Sequence, residues 1–583
     1  CHYSALGVTG VYGAAPGTAP PGYPGFGPAF RERIAVNAGE TYLLNVSNFA
    51  VNTSGFTLIF PATAPVCYGV NPGGTIVWTS SVSTDWFNTN NWGGCQIPDC
   101  SRNATIPSFP VNQPVINAAN ASVRSITITP SASLTINSGY QLMVCNDFTN
   151  NGTFNAQPNS TVLFTDTAVT APLTNLHDQN INGTVTGASR FMNVTVDKPT
   201  GYRVIATQNV DMGGNFLINN TGGSFDATSM YHRVAGDFTV NFPSFYTPGS
   251  DLEFNGTVQS YLNRGSLNNV VMNQTAPGTL TLLNHGGASA WMLIGGSGSL
   301  TLNYGRIITN ATANNRVEVQ NRAFGAISAG NANSFIETNG IGASVGLRKY
   351  LNQTGATGTY EFPVGTSAKG YQRLSFNLTA GMTASVNYFT VQFDNTVPAN
   401  NLGLGIECGF TYHAAPATPL DNGFWRFYPT TPGSFSAGTF TPTLYNTGYT
   451  NAQFGFTAMY NRSNTNAAAN WLINTGTPVC GNPVTAVQRT GMSVATVFQS
   501  AVNAWFGTAQ APNPLPVELL SFEASPFKNH IRLRWLTASE KDNKGFEIER
   551  STNGPEGFRQ IGFVNGNGTT TSLSEYAFND TDV

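Results

Sequence analysis

The sequence predicts an all-β, multidomain and elongated protein in which a parallel β-helix (a solenoid) is flanked by β-sandwich modules. Three observations lead to this prediction. Only 9% of the 583 residues are charged, whereas 62 are glycine and 38 are phenylalanine. Short runs alternate apolar and polar residues, which is typical of half-buried strands. Units of about twenty residues recur in the middle of the chain, as they do in solenoids.

The composition also limits the size and the partners of the protein. A chain of 583 residues is too long for one compact core, so we expect several domains. The low charge argues against nucleic acid as a partner, because phosphates require clustered Lys and Arg. No run of about 18 apolar residues occurs, so the sequence predicts no membrane span. The many aromatic residues argue against a disordered chain.

Residues 1–66 predict the C-terminal part of a β-sandwich module of the jelly-roll type. Apolar and polar residues alternate over 40–46 and again over 55–60, with a turn between the two runs. The strings AGETYLLNVSNF and SGFTLIF resemble the final strands of jelly-roll modules in secreted bacterial proteins.

Residues 67–114 form a Trp/Asn-rich linker that we expect to cap the β-helix. Trp78, Trp86 and Trp92 lie in TIVWTSSVSTDWFNTNNWGG, which resembles a short motif that introduces β-helical regions in Bacteroidetes surface proteins. A stacked β-helix must shield its terminal coil, and three Trp side chains would do so. The alternative is that the three rings are exposed and stack on the sugar rings of a glycan.

Residues 115–340 predict the parallel β-helix itself. An Asp or Asn followed by Phe recurs in similar surroundings at Asp147-Phe148, Asn215-Phe216 and Asp237-Phe238. The last two pairs lie 22 residues apart. In a solenoid each coil pairs with the next, so inward Val, Ile, Leu and Phe side chains stack as ladders. Asn side chains can form a further ladder of hydrogen bonds in the turns.

Two more β-sandwich modules are predicted at 341–400 and 401–511. The first alternates apolar and polar residues over 360–365 and 385–391, and the second contains the strings NGFWR and WFG. Both resemble the sandwich modules that follow a β-helix in Bacteroidetes surface proteins.

Residues 512–583 resemble a fibronectin-III-like module of secreted Bacteroidetes proteins. The matching strings are LPVELLSF from Leu515, WLTASE from Trp535, GFEIERS from Gly545 and FNDTD from Phe578. In that family the module precedes a type A sorting domain. The resemblance therefore implies export by the type IX secretion machinery and an extracellular or cell-surface location, attached to the outer membrane or released. The family pattern continues further, so we expect this module to be truncated.

Seven cysteines are too few for a disulfide scaffold in a chain of this length. We expect two disulfides, Cys95–Cys100 and Cys408–Cys480. Cys1 is expected to pair with Cys67 or with a cysteine further upstream, and Cys145 to be a buried free thiol. No CxxC pair or His cluster accompanies these residues, so the sequence predicts no metal site.

The charged residues of the predicted β-helix are the candidates for catalysis. The best cluster consists of Asp226, His232, Arg233, Asp237, Asp251 and Glu253. Asp251 and Glu253 share one face of a strand, and paired carboxylates serve glycosidases. That face is expected to be the solvent face, however, and Asp237 occupies the repeated position that Asn215 also fills, as a turn residue would. We therefore predict no catalytic residue, no enzymatic activity and no cofactor, and no nucleophile or phosphate-loop motif occurs.

These observations together predict a secreted structural or adhesive protein of the cell surface. Its partners would be the type IX secretion machinery and either surface glycans or copies of itself in a fibre or sheath. Asp166-Thr167-Ala168 resembles the acceptor motif for O-glycosylation in Bacteroidetes, which makes Thr167 a candidate glycosylation site. The alternative is a secreted carbohydrate-active or carbohydrate-binding protein whose active domain lies upstream of Cys1.

Overall fold

The computed structural model describes most of the chain after residue 73. The described residues are 74–166, 176–275, 277–284, 291–309, 315–353, 355–384, 388–399, 423–430, 435–445, 456–463, 465–479, 486–498, 503–510, 517–552, 554 and 556–582. The sandwich module expected at 1–66 lies outside them.

The described residues are mainly β-strand, which confirms the all-β prediction. They form six sheets, of which three are parallel, two are mixed and one is antiparallel. The helical segments are short, namely the α-helix Val494–Phe498 and the 3-10 segments Thr89–Asn91, Gly93–Cys95, Gly187–Ser189, Phe324–Ala326 and Ala468–Asn470. Within the described part of the chain, no helix has the length and apolar character needed to cross a membrane.

Three sheets are parallel throughout. The eight-stranded sheet contains, in spatial order, Thr75–Val77, Asn103–Ile106, Ile126–Ile128, Phe148–Asn150, Gln179–Gly183, Arg203–Ala206, Ser224–Asp226 and Phe245–Thr247. The three-stranded sheet contains Val115–Ile116, Ser133–Ile136 and Thr153–Ala156. The five-stranded sheet contains Val210–Met212, Tyr231–Val234, Asp251–Phe254, Asn269–Asn273 and Leu300–Tyr304.

Two sheets begin with parallel strands and continue with antiparallel ones. The parallel part of the sixteen-stranded sheet contains Ala121–Val123, Gln141–Val144, Thr161–Thr165, Asn193–Asp197, Phe216–Ile218, Phe238–Val240, Val258–Leu262, Thr279–Leu282, Arg306–Thr309, Ile336–Thr338 and Gly358–Thr366. Its antiparallel part contains Gly370–Ala384, Phe435–Tyr445, Ala486–Thr490, Thr477–Val479 and Met492–Ser493. The nine-stranded sheet contains the parallel strands Ser266–Leu267, Trp291–Ile294, Arg316–Val319 and Gly346–Tyr350, then Tyr388–Asp394, Phe424–Pro429, Ala504–Gln510, Phe456–Asn461 and Trp471–Leu472.

Residues 103–338, which we call the wound region, visit three sheets in a cyclic order. The chain first passes through the eight-stranded, three-stranded and sixteen-stranded sheets in turn. From Val210 the five-stranded sheet replaces the three-stranded one, and from Ser266 the nine-stranded sheet replaces the eight-stranded one. Strands pair in parallel with the strand one turn later, which is the pairing that the predicted parallel β-helix requires.

The strand register explains the interval at which the sequence repeats. Phe216 lies opposite Phe238, and Val194 lies opposite Phe216 one turn earlier. The side chains of all three residues are buried. Successive strands alternate buried and half-buried residues, so each turn adds inward apolar side chains to the same ladders. These ladders form one continuous hydrophobic core.

The Asn ladder predicted for the turns is present as side-chain to main-chain hydrogen bonds. The Oδ1 atom of Asn193 accepts from the N–H of Asn215 at 2.9 Å, and Asn215 Oδ1 accepts from Asp237 N–H at 2.8 Å. Asp237 Oδ1 then accepts from Ser260 N–H at 2.7 Å. Each turn thus satisfies a main-chain donor of the next turn without using a charged pair.

One member of the predicted repeat is in a different position. Phe148 lies in the eight-stranded sheet, where it pairs with Ile126 and Ile181, whereas Phe216 and Phe238 lie in the sixteen-stranded sheet. The Asp147-Phe148 pair is therefore not equivalent to the later two pairs. Different faces of the coil share the same alternation of inward and outward residues, so similar strings arise on more than one face.

The boundary predicted between residues 400 and 401 does not separate two modules. Gly370–Ala384 pairs with Phe435–Tyr445, and Tyr388–Asp394 pairs with Phe424–Pro429. Strands from both predicted modules therefore share the same two sheets. Those two sheets are also continuous with the wound region, so the predicted boundary at 340 cuts through them as well.

The last described strands form a separate antiparallel sheet. It contains Val517–Phe527, His530–Arg550, Arg559–Thr570 and Ser574–Asp580. Its own small core is built on Trp535, with Ile548 and Tyr576 packed around it.

Candidate functional site

The three tryptophans expected at the start of the β-helix are core residues. Trp78 and Trp86 are completely buried and Trp92 is 2% exposed. The ring of Trp92 packs edge-on against Trp78 at 4.9 Å and against Trp86 at 4.7 Å. The adjacent strand, Thr75–Val77, is the first of the eight-stranded sheet. The rings therefore close the core at this end as a cap would, and the alternative of glycan stacking on them is wrong because no ring face is accessible.

The cysteine pairing differs from the prediction. Cys100 forms a disulfide with Cys145, with Cα atoms 5.4 Å apart, so the expected Cys95–Cys100 bridge is wrong and Cys145 is not a free thiol. Cys95 is disulfide-bonded as well. The expected Cys408–Cys480 bridge, Cys1, Cys67 and the candidate glycosylation site Thr167 all lie outside the described residues.

The predicted cluster of charged residues is divided by the fold. Arg233 and Glu253 occupy matched positions on neighbouring strands, and their side chains are 3.5 Å apart. Glu253 also accepts a hydrogen bond from Asn273 and is 6% exposed, so it does not lie on an open solvent face as expected. Asp237 belongs to the turn ladder. Asp226 accepts from the main chain and hydroxyl of Thr228 and from Arg203, contacts that support a turn.

His232 faces the interior rather than these carboxylates. It lies between Val210 and Leu252 in the five-stranded sheet and is 1% exposed. No hydrogen bond of good geometry reaches either ring nitrogen, although the main chains of Val210 and Ala227 lie close enough to favour protonation. Burial dominates and lowers the pKa of His232 to about 4. At neutral pH the ring is therefore a neutral core side chain.

A polar and aromatic cluster that was not predicted from the sequence lies on the nine-stranded sheet. It lies on the outward face of four neighbouring strands, and we call it the Glu318 cluster: Trp291, Arg316, Glu318, Arg348, Tyr350 and Tyr388. These strands are matched in register, with Trp291 opposite Arg316, Glu318 opposite Arg348 and Tyr350 opposite Tyr388. Charged residues on outward positions of strands are expected to meet their cross-strand neighbours.

Glu318 contacts three other residues of this cluster. Its Oε2 atom accepts from Arg316 Nε at 2.7 Å and lies 3.4 Å from Arg348 Nη1, and its Oε1 atom accepts from the Tyr350 hydroxyl at 3.3 Å. Burial by itself would raise the pKa of Glu318, but the Arg316 hydrogen bond and the two guanidinium charges bring it below its usual value. Glu318 is therefore a carboxylate at neutral pH.

The aromatic rings of the cluster are half-buried, and Arg guanidinium groups lie over them. The Arg348 Cζ atom lies 4.0 Å from the Tyr388 ring centre, and Arg316 Cζ lies 5.1 Å from that of Trp291. The Tyr350 and Tyr388 rings are 5.2 Å apart, and Arg322 lies 5.6 Å from the Tyr350 ring. Arg316, Arg322 and Arg348 against the single carboxylate of Glu318 give the cluster a positive balance, although Glu318 and Arg348 are themselves buried.

This arrangement offers groups that can bind a ligand. Half-exposed Trp and Tyr rings offer an apolar face with a polar edge, and Arg donors recognise carboxylate and sulfate groups with paired hydrogen bonds. The sequence did contain a signal, since RVEV at 316–319 and LRKY at 347–350 each hold two charged residues in a chain of which only 9% is charged. Among the described residues, no group of three or more His, Cys, Asp or Glu side chains is arranged to hold a metal ion.

A family model described as a domain of unknown function (DUF8693) matches residues 77–402, which is more than half of the chain. That span includes the tryptophan cap, the wound region and the Glu318 cluster. No curated protein and no solved structure matches.

Proposed function

The chain belongs to the DUF8693 family, whose function is unknown, and from its sequence and structure together we propose that it is a secreted structural or adhesive protein of the cell surface. The wound region would form a parallel β-helix that serves as the scaffold. The Glu318 cluster would be the adhesive site, and its ligands would be glycans that carry carboxylate or sulfate groups.

The observation that carries this proposal is that the cluster is built on a continuous sheet. The nine-stranded sheet runs from the parallel strands of the wound region into antiparallel strands, and the cluster spans that junction from Trp291 to Tyr388. Side chains on paired strands are held more precisely than those on loops. The half-buried rings and their guanidinium partners are therefore fixed before any ligand arrives, which reduces the entropy that binding must remove.

The cluster has both features that an acidic sugar chain requires. A sugar ring can pack on the exposed part of Trp291, which Arg316 also contacts, while the carboxylate or sulfate group of the sugar accepts hydrogen bonds from the Arg316 guanidinium. The guanidinium groups of Arg316 and Arg322 would add an electrostatic attraction for the acidic chain at this site. Display of many copies on a surface would raise the overall affinity through multivalency.

Replacing Trp291 by Ala is expected to weaken binding of an acidic polysaccharide by about tenfold, or about 1.4 kcal/mol, because the stacking face is lost. Binding of polygalacturonate and of dextran sulfate would be measured by isothermal titration at two salt concentrations. Higher salt should weaken binding by the wild-type protein, since the contact is partly electrostatic.

Phe242→Ala is the matched control for this experiment. The Phe242 ring is 65% exposed and lies 4.9 Å from Arg264 Cζ, so it is also an arginine–ring pair, but it is outside the cluster. This variant should bind as the wild type does. Equal binding by a folded Trp291→Ala variant would remove the cluster from the proposal. Release of shorter saccharides in the same mixtures would instead favour a secreted carbohydrate-active protein.

Export by the type IX secretion machinery rests on the resemblance of residues 512–583 to the fibronectin-III-like module. In a Bacteroidetes host, the protein should be cleaved by protease added to intact cells. In an otherwise identical strain with an inactive type IX system, it should be protected. Protection in both strains would contradict the surface location.

Electron micrographs of the released protein test whether copies assemble into a fibre or sheath, and uniform monomers would argue against assembly.

A further inference from the structure

Lys198 and Asp166 bring an amine against a carboxyl group inside the wound region. Lys198 is the only lysine between positions 115 and 340, yet its side chain is completely buried, and that of Asp166 is 2% exposed. Thr165 and Asp197 are a matched pair on neighbouring parallel strands, and Asp166 and Lys198 follow them directly. Asp166 and Lys198 therefore both point inward. The earlier inward-facing residues of the same two strands are apolar.

The local contacts leave little room for solvent. Lys198 Nζ contacts Asp166 Oδ2 and donates a hydrogen bond to the main-chain oxygen of His177 at 2.7 Å. The other carboxyl oxygen, Asp166 Oδ1, has no hydrogen-bond partner among the described residues. Gly223 of the next turn packs on Lys198 so closely that a Cβ atom there would lie 2.4 Å from Lys198 Cβ. The neighbouring turn thus packs directly on Lys198.

The interior disfavours the charged form of Lys198. Removing an ammonium and a carboxylate from water has a cost that their attraction often fails to offset. Burial is the largest influence on Lys198 and lowers its pKa, although contact with Asp166 acts in the opposite direction. Transfer of a proton from the ammonium to the carboxylate yields a neutral amine, which is a nucleophile, beside a neutral carboxylic acid.

We propose that Lys198 and Asp166 are joined by an intramolecular isopeptide bond. The Lys198 Nζ atom attacks Asp166 Cγ, a new Nζ–Cγ bond forms, and the Cγ–Oδ2 bond breaks. Oδ2 leaves as water with its own proton and one proton from Nζ. No atom is oxidised or reduced, and one water molecule is the only product released.

The surrounding groups match the product of this reaction. The amide nitrogen keeps one hydrogen, for which the His177 main-chain oxygen is already in place. Oδ1 becomes the amide oxygen, and two opposite charges are removed from the core. The bond would also close the longest turn between paired parallel strands of the sixteen-stranded sheet, which is the turn from Thr161–Thr165 to Asn193–Asp197. Cross-links that restrict long segments reduce the entropy of the unfolded chain.

The bond is tested by mass spectrometry of the reduced full chain. The measured mass should be lower than the sequence mass by the mass of one water molecule. Trypsin should yield fragment 125–190 joined to fragment 191–203 as one branched species, because Lys198 precedes Pro199 and is not cleaved. A chain of sequence mass that gives the two fragments separately would overturn the proposal and leave an ordinary ion pair.

Two variants test whether the loss of water involves Lys198. Lys198→Arg lacks the amine and should have its full sequence mass. Lys349→Met is the matched control, because Lys349 is also completely buried but donates to the main-chain oxygens of Asn321 and Tyr350. This control should retain the loss of one water molecule. A loss that persists in Lys198→Arg would overturn the assignment, since water would then be lost elsewhere.

Discussion

Replacing Phe238 by Ala is expected to lower the free energy of unfolding by about 3–5 kcal/mol, because it leaves a cavity in the ladder of the wound region. The Phe238 ring is completely buried between two turns. It stacks on Phe216 at 5.1 Å and on Tyr261 at 5.6 Å, and Tyr246 packs edge-on at 5.2 Å. In a solenoid each turn is stabilised by its two neighbours, so one missing ring weakens both interfaces.

Phe245→Ala is the matched control for this prediction. Phe245 lies in the following strand, but its side chain is on the outward face and 53% exposed. Its replacement should change the free energy of unfolding by less than about 0.5 kcal/mol, as most surface substitutions do. Denaturant unfolding followed by circular dichroism measures both variants. Similar losses for the two would mean that the ladder does not carry the stability of this region.

Local patterns were enough to predict the all-β fold and the period of the wound region. Alternation determines which residues face inward, and the spacing of the repeat determines which of them meet on successive turns. The hydrogen bonds from Asn193 to Asn215 and onward to Asp237 follow from the same spacing, because a turn side chain must satisfy the main chain one turn later.

The cysteine pairing shows where local spacing fails. Cys95 and Cys100 are close in sequence, but Cys100 binds Cys145, at a sequence separation of 45. That separation is about two turns, so the stacking of turns, rather than a short loop, brings the two thiols together.

The burial of the tryptophans could not be derived from their local string for a related reason. Such a string gives no information about which distant segments cover a ring, and it is the main-chain oxygen of Asn112 that accepts from the Trp78 indole.

The Glu318 cluster could be suspected from sequence but not assembled from it. Arg316 and Glu318 are on one strand with a single residue between them, so alternation alone places them on one face. Arg348 lies on the next strand of the sheet, and Tyr388 lies on the antiparallel strand beyond that one. The number of residues per turn varies in this part of the chain. The sequence spacing therefore does not show which residues lie opposite one another on neighbouring strands.

His232 introduces a titratable group into the ladder of the five-stranded sheet. Val210 on one side and Leu252 on the other occupy the same inward position, and the Phe225 ring packs edge-on at 5.7 Å. The ring is tolerated there only when it is neutral. Because burial lowers the pKa of His232 from 6.5 to about 4, the unfolded chain binds a proton over a pH range in which the folded protein does not.

The stability of the protein should therefore fall as the pH is lowered from 6.5 to 4, by about 3 kcal/mol at about 1.4 kcal/mol per pH unit. The stability that comes from burying the neutral His232 ring is fully present above pH 6.5. It decreases below that pH because protonation of this histidine favours the unfolded chain. Denaturant unfolding at several pH values measures the slope, and His232→Leu should abolish it in this range whatever the stability of the variant at neutral pH.

Glu540→Gln is a control for this prediction in a separate pH window. Four donors hold the pKa of Glu540 at about 2 despite burial, namely Tyr576, the main chain of Asn567, Asn543 and Thr537. The stabilising contribution of Glu540 is therefore lost only as the pH falls from 4.5 towards 2, and the Gln variant should keep the slope between pH 6.5 and 4. A slope between pH 6.5 and 4 that survives in His232→Leu would show that other groups control the acid sensitivity of the fold.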